Sequence, residues 1–278
     1  MKLDYPYRDL EAKIRDLTPL SDEVIQQRFS RSILVRGLGS HRILSASVVV
    51  MIGLGAILTH VAEMLIREGV GLLVTVDPDV ISEHNLERVS IYGESNIGAY
   101  KVDTVKSFAE KVNHHVKVVP IVGKFQDIIR DSSIQSTFRM ADLIVTGIDN
   151  GLGLYSVARF TYENDVPHID GATYKYNAHA FIFAKPQAGP CYLCTMTKKS
   201  FQDISKIFSC TRSTSDAPIG PTIAESSRLA GDIVFTEAVK ILEGKLPEYH
   251  EIRCSTLDWY LEREPIAPNE AHQYGHIW

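Results

Sequence analysis

The chain predicts an α/β fold: a Rossmann-like, mostly parallel sheet flanked by helices, with a late β-rich portion and a mobile crossover loop. Three observations carry this. Ser47-Val48-Val49-Val50-Met51-Ile52 is an apolar run of strand length that stops on Gly53-Leu54-Gly55. Ala56 to Glu68 repeats apolar residues at 57, 58, 61, 62, 65 and 66, one face of a helix. Gly69 supplies a helix stop, and Leu72 to Val76 is a second apolar strand ending at Asp77. A strand–helix–strand unit of this kind implies parallel pairing with a right-handed crossover.

The other elements follow in order. Residues 1–40 are mixed and charged, with helical patterning from Asp22 to Leu34 after the start signal Thr18-Pro19-Leu20-Ser21. They read as an N-terminal helical segment, and residues 41–278 as the body. Beyond the first unit come a helix at Lys101 to Val112, a strand at Lys117 to Val122 and a helix or helical turn at Phe125 to Phe138. Asp142 to Ile148 is a strand ending at Asp149-Asn150, Tyr155 to Asn164 a helix, and Pro167 to Asp170 a short strand. Ala178 to Ala184 alternates like a strand, and residues 195–222 are Ser/Thr/Lys-rich and predict the crossing loop. Ala224 to Leu242 returns to helix with Gly244 as its stop, and Glu251 to Tyr260 reads as a last strand.

Composition narrows the class. The chain has 278 residues, 45% hydrophobic and 23% charged, enough for one large core without disulfides. A net charge of -5 gives no global drive toward nucleic acid or an anionic membrane. No stretch approaches the roughly 20 apolar residues that span a bilayer. Met1 to Tyr7 lacks the basic start and apolar run of a secretory signal, so a cytoplasmic location is the expectation. Four cysteines argue against a disulfide scaffold and toward metal, nucleophile or core use.

Gly53-x-Gly55 between a buried strand and a helix suits a phosphate, because glycines admit the ligand and the helix start offers unpaired N–H groups. Leu58 stands where the dinucleotide fingerprint has its third glycine. A tight turn without nucleotide fits the same residues. Asp77 at the second strand end is placed for a ribose, in NAD or ATP alike. The next segment discriminates. Asp77, Asp79, Asn85, Arg88 and Lys101 gather just beyond the strand ends, and Asp149 falls on the same rim. Hydride transfer has no use for this set. Attack on a triphosphate does, with cations over the phosphates and a carboxylate for Mg²⁺.

These residues resemble the ThiF/MoeB/HesA superfamily, the ubiquitin-activating-enzyme-like adenylyltransferases, over roughly Arg28 to Leu261. Arg28-Phe29-Ser30-Arg31-Ser32 looks like the family's opening Arg-Tyr-x-Arg-Gln. The glycine turn, Asp77-x-Asp79, Asn85-Leu86-x-Arg88, Ile97-Gly98-x-x-Lys101, Asp149-Asn150, Cys191-x-x-Cys194 and Glu237 to Gly244 follow in order. The resemblance implies that Gly53, Gly55 and Ala56 form the phosphate turn and that Asp77, Asp79 and Asn150 belong to the nucleotide site. It further implies Asn85, Arg88 and Lys101 around the phosphates and Asp149 on Mg²⁺. Arg31 would be an arginine finger reaching the partner subunit of a homodimer.

The implied reaction is ATP-dependent adenylation of a C-terminal carboxylate on a ubiquitin-like or sulfur-carrier protein. A peptide-modifying adenylyltransferase of natural-product biosynthesis shares that chemistry. The short N-terminal segment, with no room for a peptide-recognition domain, favours the former. A non-catalytic partner subunit and an NAD-dependent oxidoreductase are the readings of other classes, and the retained cations count against both. The chain departs from the family's Gly-x-Gly-Gly-x-Gly at Ala56 and Leu58, and Ser32 replaces the Gln.

Cys191-x-x-Cys194 matches half of the structural zinc site of many relatives, and His272 and His276 could supply two imidazoles in place of the missing cysteine pair. Both cysteines could equally be small buried residues without metal. Cys210 sits about where some relatives carry the cysteine that takes up the activated acyl group or sulfur, with Arg212 beside it to lower its pKa. Both could equally be plain loop residues.

Overall fold

Residues 9–195 and 221–268 are described by the structure, a computed structural model. Four short helices open it: α1 (Leu10–Arg15), α2 (Asp22–Arg28), α3 (Ile33–Arg36) and α4 (Leu38–Ala46). Ser21 caps α2 by accepting the Val24 N–H. The single helix expected from Asp22 to Leu34 is interrupted at Phe29, whose buried ring stacks on His41 with centroids 4.5 Å apart. Burying that aromatic outweighs the continuation of one helix. Residue 40 falls inside α4, so the N-terminal segment passes into the body through a helix. The arm is also tied down by side chains: Ser32 Oγ meets His41 Nε2 at 2.8 Å, and Ser40 donates to Glu243.

The first unit is as predicted: β1 (Val48–Ile52), α5 (Ala56–Glu68) and β2 (Leu72–Val76), with β1 and β2 parallel. Gly69 ends α5 in the left-handed conformation at φ 80°, and a Cβ there would come within 2.5 Å of Phe29 Cζ. A rim segment then leads to α6 (Lys101–Val112) and β3 (Lys117–Ile121). The helix expected at Phe125 to Phe138 is two, α7 (Phe125–Ile128) and α8 (Ser132–Phe138), because Asp131 starts a new helix by accepting the Ser133 N–H. After β4 (Leu143–Thr146), α9 (Gly151–Asn164) begins four residues earlier than expected, since Asn150 caps it by accepting the Gly153 N–H at 2.6 Å.

β5 (His168–Tyr174) and β6 (Asn177–Phe183) form a hairpin, followed by α10 (Ala224–Leu242), β7 (Glu251–Ser255) and β8 (Leu261–Glu264). The single last strand expected at Glu251 to Tyr260 ends at Ser255, whose hydroxyl accepts the Leu257 and Asp258 N–H groups and folds the chain back into β8. The sheet order is β3-β2-β1-β4-β5-β6-β7-β8, parallel from β3 to β5 and antiparallel from there to β8. Alternate residues of β1 divide the core: Val49 and Met51 face α5, α6 and α10, while Val48, Val50 and Ile52 face α1, α7, α8 and α9.

Strand order reverses at β1, which lies between β2 and β4, so the crevice beyond its C-terminal end is a ligand position by topology alone. Leu58, fully buried, fills the space over the end of β4. A Cβ on Gly147 would come within 2.9 Å of Leu58 Cγ, so a glycine on the strand side makes room for the helix side chain. The expected crossing loop falls mostly outside the described residues, as do Cys210, Arg212, His272 and His276. Among the described residues no helix is long and apolar enough to cross a membrane.

Candidate active site

Gly53, Leu54 and Gly55 turn at the C-terminal end of β1 and lead directly into α5. Gly53 has φ 86°, and a Cβ on it would come within 2.5 Å of Ile148 Cγ2 and 2.7 Å of the Gly147 oxygen. Only glycine fits such an approach, which brings Gly147 and Ile148, just past β4 and before Asp149, against the turn. No side chain caps α5, so its first N–H groups face the crevice.

Asp77 follows β2 and is turned inward, 4% exposed. Its Oδ2 accepts the Leu54 N–H at 2.5 Å and its Oδ1 the Asp79 N–H at 2.8 Å. Burial pushes the carboxyl of Asp77 above its ordinary value, while Lys101 and the two N–H groups pull it down. The Lys101 ammonium lies 2.8 Å from Asp79 and 3.8 Å from Asp77. A short bridge between Val80 and Tyr100 causes this meeting by laying the start of α6 beside Asp79. Asp79 is the outward-facing carboxylate of the pair, its side chain 63% exposed.

Asp77, Asp79 and Lys101 therefore form one cluster, tied to the Gly53–Gly55 turn through the Leu54 N–H, with Ala56 opening α5 and Asp149 two residues beyond Gly147. Asp149 is exposed and has no side-chain partner among the described residues. A carboxylate so placed fits Mg²⁺, which is held by one or two carboxylates and the substrate's own phosphates. Other residues of the expected set are engaged locally. Asn85 caps its own turn by accepting the Ser82 N–H at 3.0 Å, and Asn150 caps α9. Arg88 donates to the His84 oxygen at 2.9 Å and to Glu87 at 2.5 Å, within its own turn. Arg31 is exposed on the N-terminal arm and makes no ion pair among the described residues.

The sequence model of the ThiF family matches residues 29–273. The chain belongs to the ThiF family. The molybdopterin-synthase adenylyltransferase of Escherichia coli is 24% identical over 263 residues, covering 90% of this chain and 97% of that protein. A SAMP-activating enzyme of Haloferax volcanii is 26% identical over 247 residues, 87% of this chain and 86% of its own. Among solved structures, E. coli MccB with ATP superposes with a TM-score of 0.67 at 19% identity, covering 87% of this chain and 72% of that one. PaaA gives 0.71 at 19% identity, covering 89% and 84%. These structural likenesses carry the fold, and the Rossmann-type adenylyltransferase architecture is the one this ThiF-family chain adopts.

Two features of this ThiF-family site are absent from the motif reading. Tyr92 is 7% exposed and donates its hydroxyl proton to the Leu54 oxygen at 3.0 Å, inside the glycine turn. Burial first, then the charges of Asp77 and Asp79, push its phenol well above the ordinary value, so it stays a donor. The apolar Val89-Ser90-Ile91-Tyr92 run among the polar rim motifs was the available signal. The second feature is a buried trio beside the Tyr192 ring, whose centroid lies 5.8 Å from that of His168. Thr146 Oγ1 lies 2.5 Å from Asp170 Oδ1 and 2.9 Å from His168 Nε2. Only the register of β4 on β5 brings these together.

The two cysteines pack against α9 beside Ala158 and Tyr162, away from the glycine turn. Their sulfurs are 4.0 Å apart, close to the about 3.8 Å that two thiolates on one tetrahedral Zn²⁺ require. The Cys194 sulfur and burial hold the Cys191 thiol high. Among the described residues no group of three or more potential ligands surrounds a common point, so this pair is at most half of a zinc site there.

Proposed function

We propose that this chain binds ATP with Mg²⁺ in the crevice beyond β1 and adenylates the C-terminal carboxylate of a small ubiquitin-like or sulfur-carrier protein. The observation that carries it is the Asp77–Asp79–Lys101 cluster, which fixes a bare glycine turn at the topological switch point. The carboxylate oxygen attacks the α-phosphorus, the bond to the bridging oxygen breaks, and pyrophosphate leaves with its electron pair. A carboxylate is already ionised near neutral pH, so no base is needed, and catalysis is positioning and charge stabilisation. Lys101 is held in place by Asp79 and can exchange that partner for a phosphate without leaving the cluster. Asp149 would hold Mg²⁺, which when bound offsets phosphate charge. Arg88 would turn from its local partners to the phosphates, and Arg31 would act from the partner subunit of a homodimer.

Support comes from membership of the ThiF family and from relatives named for molybdopterin synthase and SAMP. A second reading, a peptide-modifying adenylyltransferase, is favoured by the likeness to MccB, solved with MccA. ATP–pyrophosphate exchange against small proteins and peptides separates the two by which carboxylate supports it. Arg88→Ala and Asp149→Asn should each lower exchange by about a hundredfold or more. Exchange unchanged in both variants would sink the mechanism.

The zinc reading extends to Cys191, Cys194, His272 and His276. Its support is the 4.0 Å separation of the two sulfurs, the spacing of a shared metal. Metal analysis of wild type and Cys191→Ser tests it: about one zinc per chain, lost in the variant. Cys210 as acyl or sulfur acceptor, and a cytoplasmic setting, complete the proposal.

A further inference from the structure

We infer that Tyr92 is a positioning residue that sets the direction of the Gly55 N–H, the donor that meets a phosphate of the bound nucleotide. The inference rests on the ATP reading above and deepens it. Leu54, the middle residue of the turn, is held at both of its peptide groups. Its N–H goes to Asp77 at 2.5 Å and its carbonyl oxygen accepts from Tyr92 at 3.0 Å. The second contact belongs to the Leu54–Gly55 peptide. In a trans peptide the carbonyl and the following N–H point in opposite directions. Tying the Leu54 oxygen inward to Tyr92 therefore aims the Gly55 N–H away from the core.

Among the described residues no protein group claims that N–H, and the space beside Gly55 is open: a Cβ there would meet nothing within 4 Å. The lock matters because the plane lies within a glycine turn. Gly55, at φ -81° and ψ -162°, borders this plane, and a residue without Cβ lets the adjoining peptide plane rotate at less steric cost. Asp77 holds the preceding plane but does not touch this one. Tyr92 itself is immobilised in the core cluster that contains Leu54, Ile81 and Val102, so its hydroxyl is a rigid reference point. A donor pre-aimed at a phosphate keeps its full charge-assisted hydrogen bond, whereas one free to rotate loses much of it.

The test compares ATP with adenosine, which has no phosphate, on wild type and Tyr92→Phe, a change that keeps the ring and removes the hydroxyl. ATP affinity should fall about tenfold to a hundredfold, the size of one hydrogen bond to a charged group, with adenosine affinity within twofold. In pyrophosphate exchange the KM for ATP should rise while the KM for the carboxylate substrate holds. Equal loss of ATP and adenosine, or no loss of ATP, overturns the inference. A variant-free arm follows the Gly55 amide of ¹⁵N-labelled wild type: it should shift with ATP and not with adenosine, and a Gly55 amide indifferent to ATP overturns the inference even if Tyr92→Phe fails to fold. Wild-type protein that binds no ATP overturns the functional reading itself, and this with it.

Discussion

Asp170 sits on β5 at 3% exposure, and burial pushes its carboxyl from the ordinary 3.8 up to about 7. The Thr146 hydroxyl donates to it, so His168 Nε2 carries a proton toward Thr146 and leaves Nδ1 without a partner among the described residues. Burial drives that imidazole down to about 3. The signs differ. Asp170 contributes stability that is full below the ordinary carboxylate value and lost as pH rises through about 7. His168 contributes stability that is full above the ordinary imidazole value and lost as pH falls toward about 3. Asp170→Asn removes only the first, so its melting temperature relative to wild type should climb by a few degrees between about pH 5 and pH 8. A pH-independent difference would refute the assignment. At this scale the sequence revealed residue types better than their directions. Asp77 and Asn85 stand in the expected motifs, yet one faces inward to hold the glycine turn and the other caps its own turn. Spacing along a chain carries no information on which way a side chain turns at the end of a strand.

Between elements, the contact of α5 with the end of β4 makes a sharper case. Leu58 and Gly147 share one space, so Gly147→Ala should destabilise by about 1–3 kcal/mol through overpacking. Leu58→Ala should cost about 2–5 kcal/mol through lost burial. In Leu58→Ala/Gly147→Ala the new methyl occupies space that leucine has vacated. A double-mutant cycle by urea unfolding should therefore give a favourable coupling above about 0.5 kcal/mol, and strict additivity would show the two do not share that space. The first βαβ unit was fully legible because apolar runs, a helical face and glycine stops agreed. What failed were boundaries set by single side chains: Phe29, Asp131, Asn150 and Ser255 each break or start an element through one ring or one hydrogen bond. α4, with Gly39, Ser40 and His41 inside it, has weak intrinsic helix preference and forms because Leu44 and His41 are buried against the body.

For the molecule as a whole, the arm is where the proposed homodimer can be tested. Val35 is 88% exposed and Leu34 80%, adjacent apolar residues one turn from Arg31, which has no ion pair among the described residues. If the homodimer covers them, Leu34→Asp/Val35→Asp should shift the protein from dimer to monomer in sedimentation. Exchange activity should fall with it, because Arg31 would no longer reach a neighbouring site. A wild-type monomer with full activity would end the arginine-finger proposal. The parallel half of the sheet could be read from strand–helix alternation. The antiparallel half, where β6 to β8 join the same sheet, could not, since no local pattern says which edge a late strand will choose. That last edge has its own consequence. All four residues of β8 are exposed, and among the described residues backbone ladder bonds and the Arg253–Glu264 pair tie it to β7. Under native conditions its amides should trade hydrogen for deuterium long before those of β1, whose five residues are all buried. The sheet thus has a graded clock built into it, slow at the glycine turn and fast at its outer margin.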